Sequence, residues 1–386
     1  MGGDATHVKY LAEELARIGH EIHVIHSIDA YRVKRSNSFH VKEPLENNNL
    51  HVHRVESIPH QKDPALAYVF GHCFSVERKF DQVILRERPE IVHYHNISLL
   101  GYSIMKKKGN YLSLYTAHDY WLICQMNNLV RNNLTHCVRK QCYSCALSWK
   151  RFPQFWRRTN DFKQIIFNID LLISPSDYVR KRLLQEVHLN SCTLPNFAPK
   201  PPENIPKTDF SNYFLFVGML EEHKGILSLL DVFKTIKNDL KASLLIVGGG
   251  SLETIVRNYI EKNSLGDRVH FLGFVNYHQL YSLYSNALAL IVPSIWPENA
   301  PLVALEALSV GTPVIASNKG GLPEIVRKVD KILIFNDNDQ LKTILLSFSR
   351  QAYPVEKIKS VYKKNYSPEA YIERYLKAIK MLTVRK

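Results

Sequence analysis

The chain is predicted to be an α/β protein of two domains, each built on a doubly wound parallel sheet, and three observations carry that reading. Strand-sized apolar runs alternate with amphipathic helical runs in two successive series, the pattern of parallel strands joined by crossover helices. A short proline-rich stretch separates the two series. With 386 residues, 45% of them apolar, the chain is large enough to bury two cores of ordinary size.

In chain order, Gly2 and Gly3 lead into a helix with Val8, Leu11, Leu15 and Ile18 on one face and Gly19 as its stop. Strands read at residues 21–26, 91–95, 112–118 and 171–175, with helical patterns between them. Pro199, Pro201, Pro202 and Pro206 mark a semi-extended linker. A second series of strands reads at 213–217, 243–247, 269–272, 287–292, 313–316 and 332–335. The expected layout is therefore a first domain over 1–195 with a cysteine-rich insertion at about 119–160, a linker over 196–211, a second domain over 212–365, and a final helix within 366–386. Glycines follow strands at Gly248, Gly249 and Gly250, which read as a turn, since Gly-rich turns occur in any doubly wound fold.

Composition narrows the functional classes. No apolar run approaches the length that crosses a bilayer. Asp4, Glu13 and Glu14 in the opening helix exclude a signal peptide, so a cytoplasmic protein is expected. The net charge of +14 favours anionic partners, and no nucleic-acid motif accompanies it. From Trp149 to Arg158, cations interleave with aromatics. Peripheral membrane segments look like this, and so does a solvated helix with its aromatics turned inward. The membrane role open to the chain is peripheral contact at the inner face of the plasma membrane.

The stretch from Pro297 to Glu324 carries the chemistry. Glu298 and Glu306 are separated by seven residues across a predicted loop-to-helix junction, with Asn299 as helix cap, Pro301 in the first turn and Gly311 as the stop. With Glu298 at the helix entrance, helical rise separates the two carboxylates by about 12 Å or less. A sugar joined through two phosphates to a ribose spans a similar length, and a helix N-terminus between the carboxylates suits the diphosphate. The plainer alternative is an amphipathic helix that packs Leu302, Leu305 and Leu308 inward and leaves both glutamates incidental.

Together with Pro297, Pro313 and the Gly320-Gly321-Leu322-Pro323-Glu324 tail, this stretch resembles the signature of family 4 glycosyltransferases. These are retaining enzymes of the GT-B fold, two Rossmann-like domains facing a central cleft. The resemblance implies that Glu298 meets the donor sugar, that Glu306 binds the ribose hydroxyls, and that Asn299, Ala300, Pro301 and Leu302 line the donor. It implies a nucleotide-diphosphate sugar as donor, a glycan or lipid-linked saccharide as acceptor, and no catalytic cofactor. Gly218-Met219-Leu220-Glu221-Glu222-His223-Lys224 is similar to the family's diphosphate motif, so Gly218 and Lys224 are expected at the diphosphate. Met219 stands where the family usually carries arginine, and a thioether cannot replace a bidentate cation. His223 and Lys319 are the nearby cations available to compensate. That departure raises the alternative of a nucleotide-sugar-binding module impaired in turnover.

By the same resemblance, the turn at Phe271–Val275 packs against the nucleobase, which brings in Phe274, and Leu322 lies near the donor. Glu324 is expected to anchor its own helix start. Gly2 and Gly3 are expected to approach the phosphates and the reacting sugar, and His118, at a strand end, to act at the reacting centre with Glu298 and Lys224. His95 and Asn96 reach the same rim on the acceptor side, and structural hydrogen bonding is an equal alternative for His93 and His95. In the family a strand precedes the glycine pair. Its absence here implies an incomplete first sheet and a truncated start at Met1.

Cys124, Cys137, Cys142 and Cys145 cluster in sequence, the last two as C-x-x-C. Four thiolates from one loop suit structural zinc; an iron–sulfur cluster and free or paired thiols are the alternatives.

Overall fold

The apolar runs fold into twelve parallel strands among the described residues. The computed structural model describes residues 3–34, 48–57, 62–106, 108–132, 135, 137 and 140–384. It divides into one unit made of residues 1–194 with 375–386 and a second unit over 195–374.

The first unit holds β1 (Ile22–Ser27), β2 (Leu50–Val55), β3 (Ile91–His95), β4 (Leu112–Thr116), β5 (Leu171–Ser174) and β6 (Ser191–Thr193). They form two sheets rather than one. β1 and β2 make a two-stranded parallel sheet, while β3-β4-β5-β6 make a four-stranded one. Among the described residues no strand pairs with the remaining edge of β1 or of β3, so the single doubly wound sheet expected for this domain is interrupted there. The opening helix runs Gly3–Arg17 and buries His7, Leu11, Ala12 and Ala16, a face rotated from the predicted one: Val8 and Leu15 are half-buried and Ile18 is exposed beyond the helix end.

The second unit holds β7 (Tyr213–Val217), β8 (Ser243–Val247), β9 (Val269–Gly273), β10 (Leu290–Val292), β11 (Val314–Ser317) and β12 (Ile334–Phe335) in one six-stranded sheet. The order is β12-β11-β10-β7-β8-β9. Tyr213, Phe214 and Leu215 of β7 are all buried, as a central strand covered on both faces requires. From β7 the chain moves outward through β8 and β9, then returns to lay β10 on the other side of β7. Strand order therefore reverses between β7 and β10, and in open α/β sheets the crevice beyond the carboxyl ends of such strands receives ligands.

The expected linker is pinned along its first residues. Phe197 and Ala198 are buried, Asn196 Nδ2 donates to the Ala300 carbonyl at 3.1 Å, and the Ala198 N–H donates to Tyr366 at 3.2 Å. The last helix, Pro368–Thr383, belongs to the second unit up to Arg374 and to the first from Tyr375. No helix among the described residues is long and apolar enough to cross a membrane.

Candidate active site

In the second unit, the loops that leave β7 and β10 meet through side chains. Lys224 Nζ donates to Glu298 Oε1 at 2.6 Å, and Ser294 Oγ donates to the same oxygen at 2.7 Å. Two glycines make this approach feasible. Gly225, at φ 75°, closes the turn Glu222–Lys224, where a Cβ would stand 2.0 Å from the Pro293 carbonyl oxygen. Gly320, at φ 64°, pairs with Glu298 in a parallel bridge, where a Cβ would stand 2.2 Å from the Glu298 carbonyl oxygen. Any other residue would be strained at both positions and would push the two loops apart.

Glu298 is buried, and burial pushes its carboxyl up; the charge and hydrogen bond of Lys224, with Ser294 and His223, outweigh it and hold the group below its ordinary value. Glu306 shows the opposite balance. Burial raises its pKa, and the Tyr284 hydroxyl, 3.0 Å from Oε2, only partly offsets that. His223 is lowered by burial and then by Lys224, and its ring lies 4.9 Å from that of Trp296. Met219 is 59% exposed, and Lys319 is exposed in the turn beside Gly320.

The predicted helix start is displaced. The helix runs Leu302–Ser309 with Pro301 as its N-terminal flanking residue and no side-chain cap. Asn299 is not the cap, and Glu298 is not at a helix entrance, because the Glu298 carbonyl accepts from the Gly321 N–H at 2.6 Å and keeps this stretch extended. Pro301 also biases Ala300 away from helical backbone. Leu305 and Leu308 are buried and Leu302 is half-buried, while Glu306 stands on the same helix with its hydrogen bond to Tyr284. Gly218 follows β7 directly, its N–H bonded to Val247 at 3.0 Å. Phe274 is 83% exposed with its ring against Gly249. Leu322 is wholly buried in the core. Glu324 sits in the first turn of the helix Leu322–Val326, which has no side-chain cap.

The first unit gathers imidazoles. His118 lies two residues beyond β4, and His95 ends β3; His95 Nδ1 is 2.9 Å from His118 Nε2. His7 joins them from the opening helix, its ring 5.1 Å from His118 and 6.1 Å from His95. His93 bonds Thr116 Oγ1 at 2.8 Å and Tyr375 Oη at 3.0 Å. Burial, then neighbouring histidines, pushes His93 down to about 3 and His7 and His95 well down. Burial takes His118 down to about 4, against the pull of Asp4. All four are neutral near pH 7. Asn96 donates to the Asp4 carboxylate and accepts from Ser98 Oγ at 2.9 Å. Gly3 opens the helix that carries Asp4 and His7, while Gly2 and Met1 lie outside the described residues. Sequence reading missed Asp4, His7, Tyr284, Ser294 and Tyr375. His7, a polar residue among the apolar positions of the opening helix, was the legible signal.

The cysteine-rich segment folds against β4 and its loop. Cys142 and Cys145 share one face of the helix Cys142–Ser148, Cys124 sits in a turn closed by its N–H to Tyr120 at 2.8 Å, and the Cys137 N–H bonds Leu129 at 2.8 Å. All four cysteines are half-buried; burial and then the other cysteines raise Cys137 and Cys145. Among the described residues, the ligand spacing that a shared ion needs is met by Glu21, His23 and His51 and not by these cysteines.

The basic–aromatic stretch divides in two. Trp156 is buried, and the Arg157 guanidinium lies 4.9 Å from the Trp121 ring and 4.7 Å from that of Trp156 while donating to the Trp121 carbonyl at 2.6 Å. Phe152 and Phe155, with Lys150, Arg151 and Arg158, are exposed.

Comparisons with known proteins bear on the family and the fold. The family model for glycosyltransferase family 4 matches residues 1–197, and that for glycosyl transferases group 1 matches residues 199–351. An uncharacterized glycosyltransferase of Methanocaldococcus jannaschii is 25% identical over 363 residues, 88% of this chain and 82% of that one. The O-antigen chain mannosyltransferase B of Escherichia coli is 25% identical over 193 residues, 46% of this chain and 50% of its own length. Among solved structures, sucrose-phosphate synthase from Thermosynechococcus elongatus aligns with a TM-score of 0.71 at 20% identity, covering 100% of this chain and 95% of that one.

Proposed function

The chain belongs to glycosyltransferase family 4, with the two-domain α/β fold of the GT-B enzymes, and on that premise we propose that it moves a sugar from a nucleotide-diphosphate sugar to a glycan or lipid-linked saccharide with retention at the anomeric carbon. The observation that carries this reading is the Lys224–Glu298 pair, which bridges the loops after β7 and β10 where strand order reverses.

A departing diphosphate gains negative charge in the transition state, and a fixed ammonium with the N–H groups of the helix Leu302–Ser309 offsets it. Lys224 supplies the ammonium. As the diphosphate takes Lys224, Glu298 is released to the sugar hydroxyls, whose donated bonds, with that of Ser294, support its carboxylate in place of the ammonium. Glu306, steadied by Tyr284, takes the ribose hydroxyls. Asn299, Ala300, Pro301 and Leu302 form the donor-side wall, Gly218 lets the backbone approach the phosphates, and Phe274 offers a ring face to the base. On the first unit, His118 acts at the reacting centre as a neutral hydrogen-bonding group oriented by His95; Gly3 serves the donor, and His95 with Asn96 the acceptor. For retention, the acceptor oxygen attacks the anomeric carbon on the face from which the diphosphate leaves. The bond to the diphosphate breaks as the new glycosidic bond forms, and the acceptor proton passes to the departing oxygen.

Incubation with a panel of labelled nucleotide sugars, with and without membrane extract, tests this. Release of nucleoside diphosphate with a product of unchanged anomeric configuration is expected for at least one donor. Donor binding without any release would leave the impaired binding module, for which Met219 at the family's arginine position is the supporting observation.

We also propose that Lys150, Arg151 and Arg158 with the exposed Phe152 and Phe155 meet anionic lipid headgroups, which brings the enzyme to a lipid-linked acceptor. Co-sedimentation with anionic vesicles should fall for Phe152→Ser/Phe155→Ser; equal sedimentation would overturn it.

A further inference from the structure

Away from these residues, the first unit gathers a second set of histidines at the beginning of its two-stranded sheet. β1 and β2 run in parallel register with His23 opposite His51 and Ile25 opposite His53. Residues two apart on a strand share a face, so Glu21, His23, His51 and His53 stand together. The His23 ring stacks on His51 at 4.6 Å and on His53 at 5.3 Å. Glu21 Oε1 lies 3.4 Å from His23 Nε2 and 3.6 Å from His51 Nε2, and these three atoms all fall within 4.8 Å of one another.

Bonds of about 2.0–2.1 Å at tetrahedral angles separate neighbouring zinc ligands by about 3.3 Å. Both measured gaps are within a few tenths of an ångström of that edge. His23 is also oriented from behind, because its Nδ1 lies 3.0 Å from His53 Nε2. With the shared proton on His23 Nδ1, the lone pair of His23 Nε2 points to the side where Glu21 and His51 converge. Metal-binding imidazoles characteristically donate their second ring N–H to a neighbouring acceptor, which fixes the tautomer.

We propose that Glu21, His23 and His51 form a site for a divalent transition-metal ion of the zinc type, with His53 as the positioning residue of His23. Two imidazoles and a carboxylate suit zinc, whereas calcium and magnesium take oxygen ligands. The ligands lie at the amino ends of β1 and β2, while open α/β sheets place their substrates beyond the carboxyl ends. The ion therefore fastens two strands together. A two-stranded sheet is marginal alone, and an ion that binds only the folded state stabilises it in proportion to its concentration.

Calorimetric titration of the chelator-treated full chain with zinc, alongside thermal melts, tests the site. Uptake of about one ion per chain is expected, with a melting temperature that rises with zinc. His51→Ala and Glu21→Gln should abolish the rise without changing the zinc-free melt, and His53→Phe should weaken uptake by about 10–100-fold. Cys142→Ser/Cys145→Ser should leave all of this intact. Absence of uptake by the native chain overturns the proposal, as does uptake that survives His51→Ala and vanishes in the cysteine variant. If the histidine variants misfold, the cobalt-loaded native chain decides: absorption without thiolate charge transfer supports the site, and thiolate charge transfer overturns it.

Discussion

In the second unit the proposed functional side chains form a charged pair, Lys224 and Glu298, above an unbroken six-stranded sheet; in the first they are four neutral imidazoles beside a sheet interrupted between β1 and β3. Glu298 and the imidazoles all have depressed pKa values, for opposite reasons. Burial works against ionised Glu298, and the neighbouring ammonium reverses the outcome. Burial also works against ionised His93, His95 and His118, and their neighbours either add to it or, at His118, oppose it too weakly. The contrast shows that burial alone does not decide charge: the balance of burial against the neighbouring charges and hydrogen bonds does.

The sharpest way to break the contrast is to remove the charge from one member of the pair. Glu298→Gln keeps the shape, leaves Lys224 without its counter-ion, and should lower kcat/KM by about 100–1,000-fold. Lys224→Met should cost as much, and the double variant little more than either alone, because contacting residues do not act additively. Wild-type turnover in Glu298→Gln would remove the pair from the mechanism.

The second effect is acid instability, and it belongs to the first unit. The folded values of His118 (about 4) and His93 (about 3) lie below the ordinary value of about 6.5, so between them the unfolded chain binds more protons. Stability from the imidazoles is complete above about pH 6.5 and is lost as pH falls toward the folded values. Glu298 follows at lower pH, its contribution present above about 4.3 and lost as pH falls through its own depressed value. Melting temperature against pH should therefore fall first in the histidine window, and His93→Gln should flatten that limb; an unchanged curve would contradict the assignment.

The smallest effect separates binding from chemistry. Phe274→Ala, at a position 83% exposed, should leave the melt unchanged and raise donor KM about tenfold with kcat nearly constant, the weight of one base–aromatic stack. A fall in kcat at constant KM would argue against a base platform.

The second unit was the more legible in sequence because its information is local. The strands from Tyr213 to Phe335 are mostly runs of apolar residues, buried throughout in β10 and β11, and the two glutamates and their glycines lie within one short stretch. What could not be read there was distance: Lys224 and Glu298 are 74 residues apart, and only the return of β10 to β7 joins them. The helix start was misplaced because Asn299 satisfies a local capping preference that the Glu298–Gly320 bridge overrides. In the first unit, β2 was missed because His51, His53 and Arg54 make a strand that reads as polar, and β6 because three residues carry no period.

The passage of the last helix from one unit into the other has a consequence for synthesis. The first unit is discontinuous, since residues 375–386 return to it after the whole of the second unit has been made. The second unit can therefore finish folding while its neighbour still lacks residues 375–386. Only when Tyr375 has left the ribosome can its hydroxyl reach His93, so the first unit, translated ahead of the second, is completed after it.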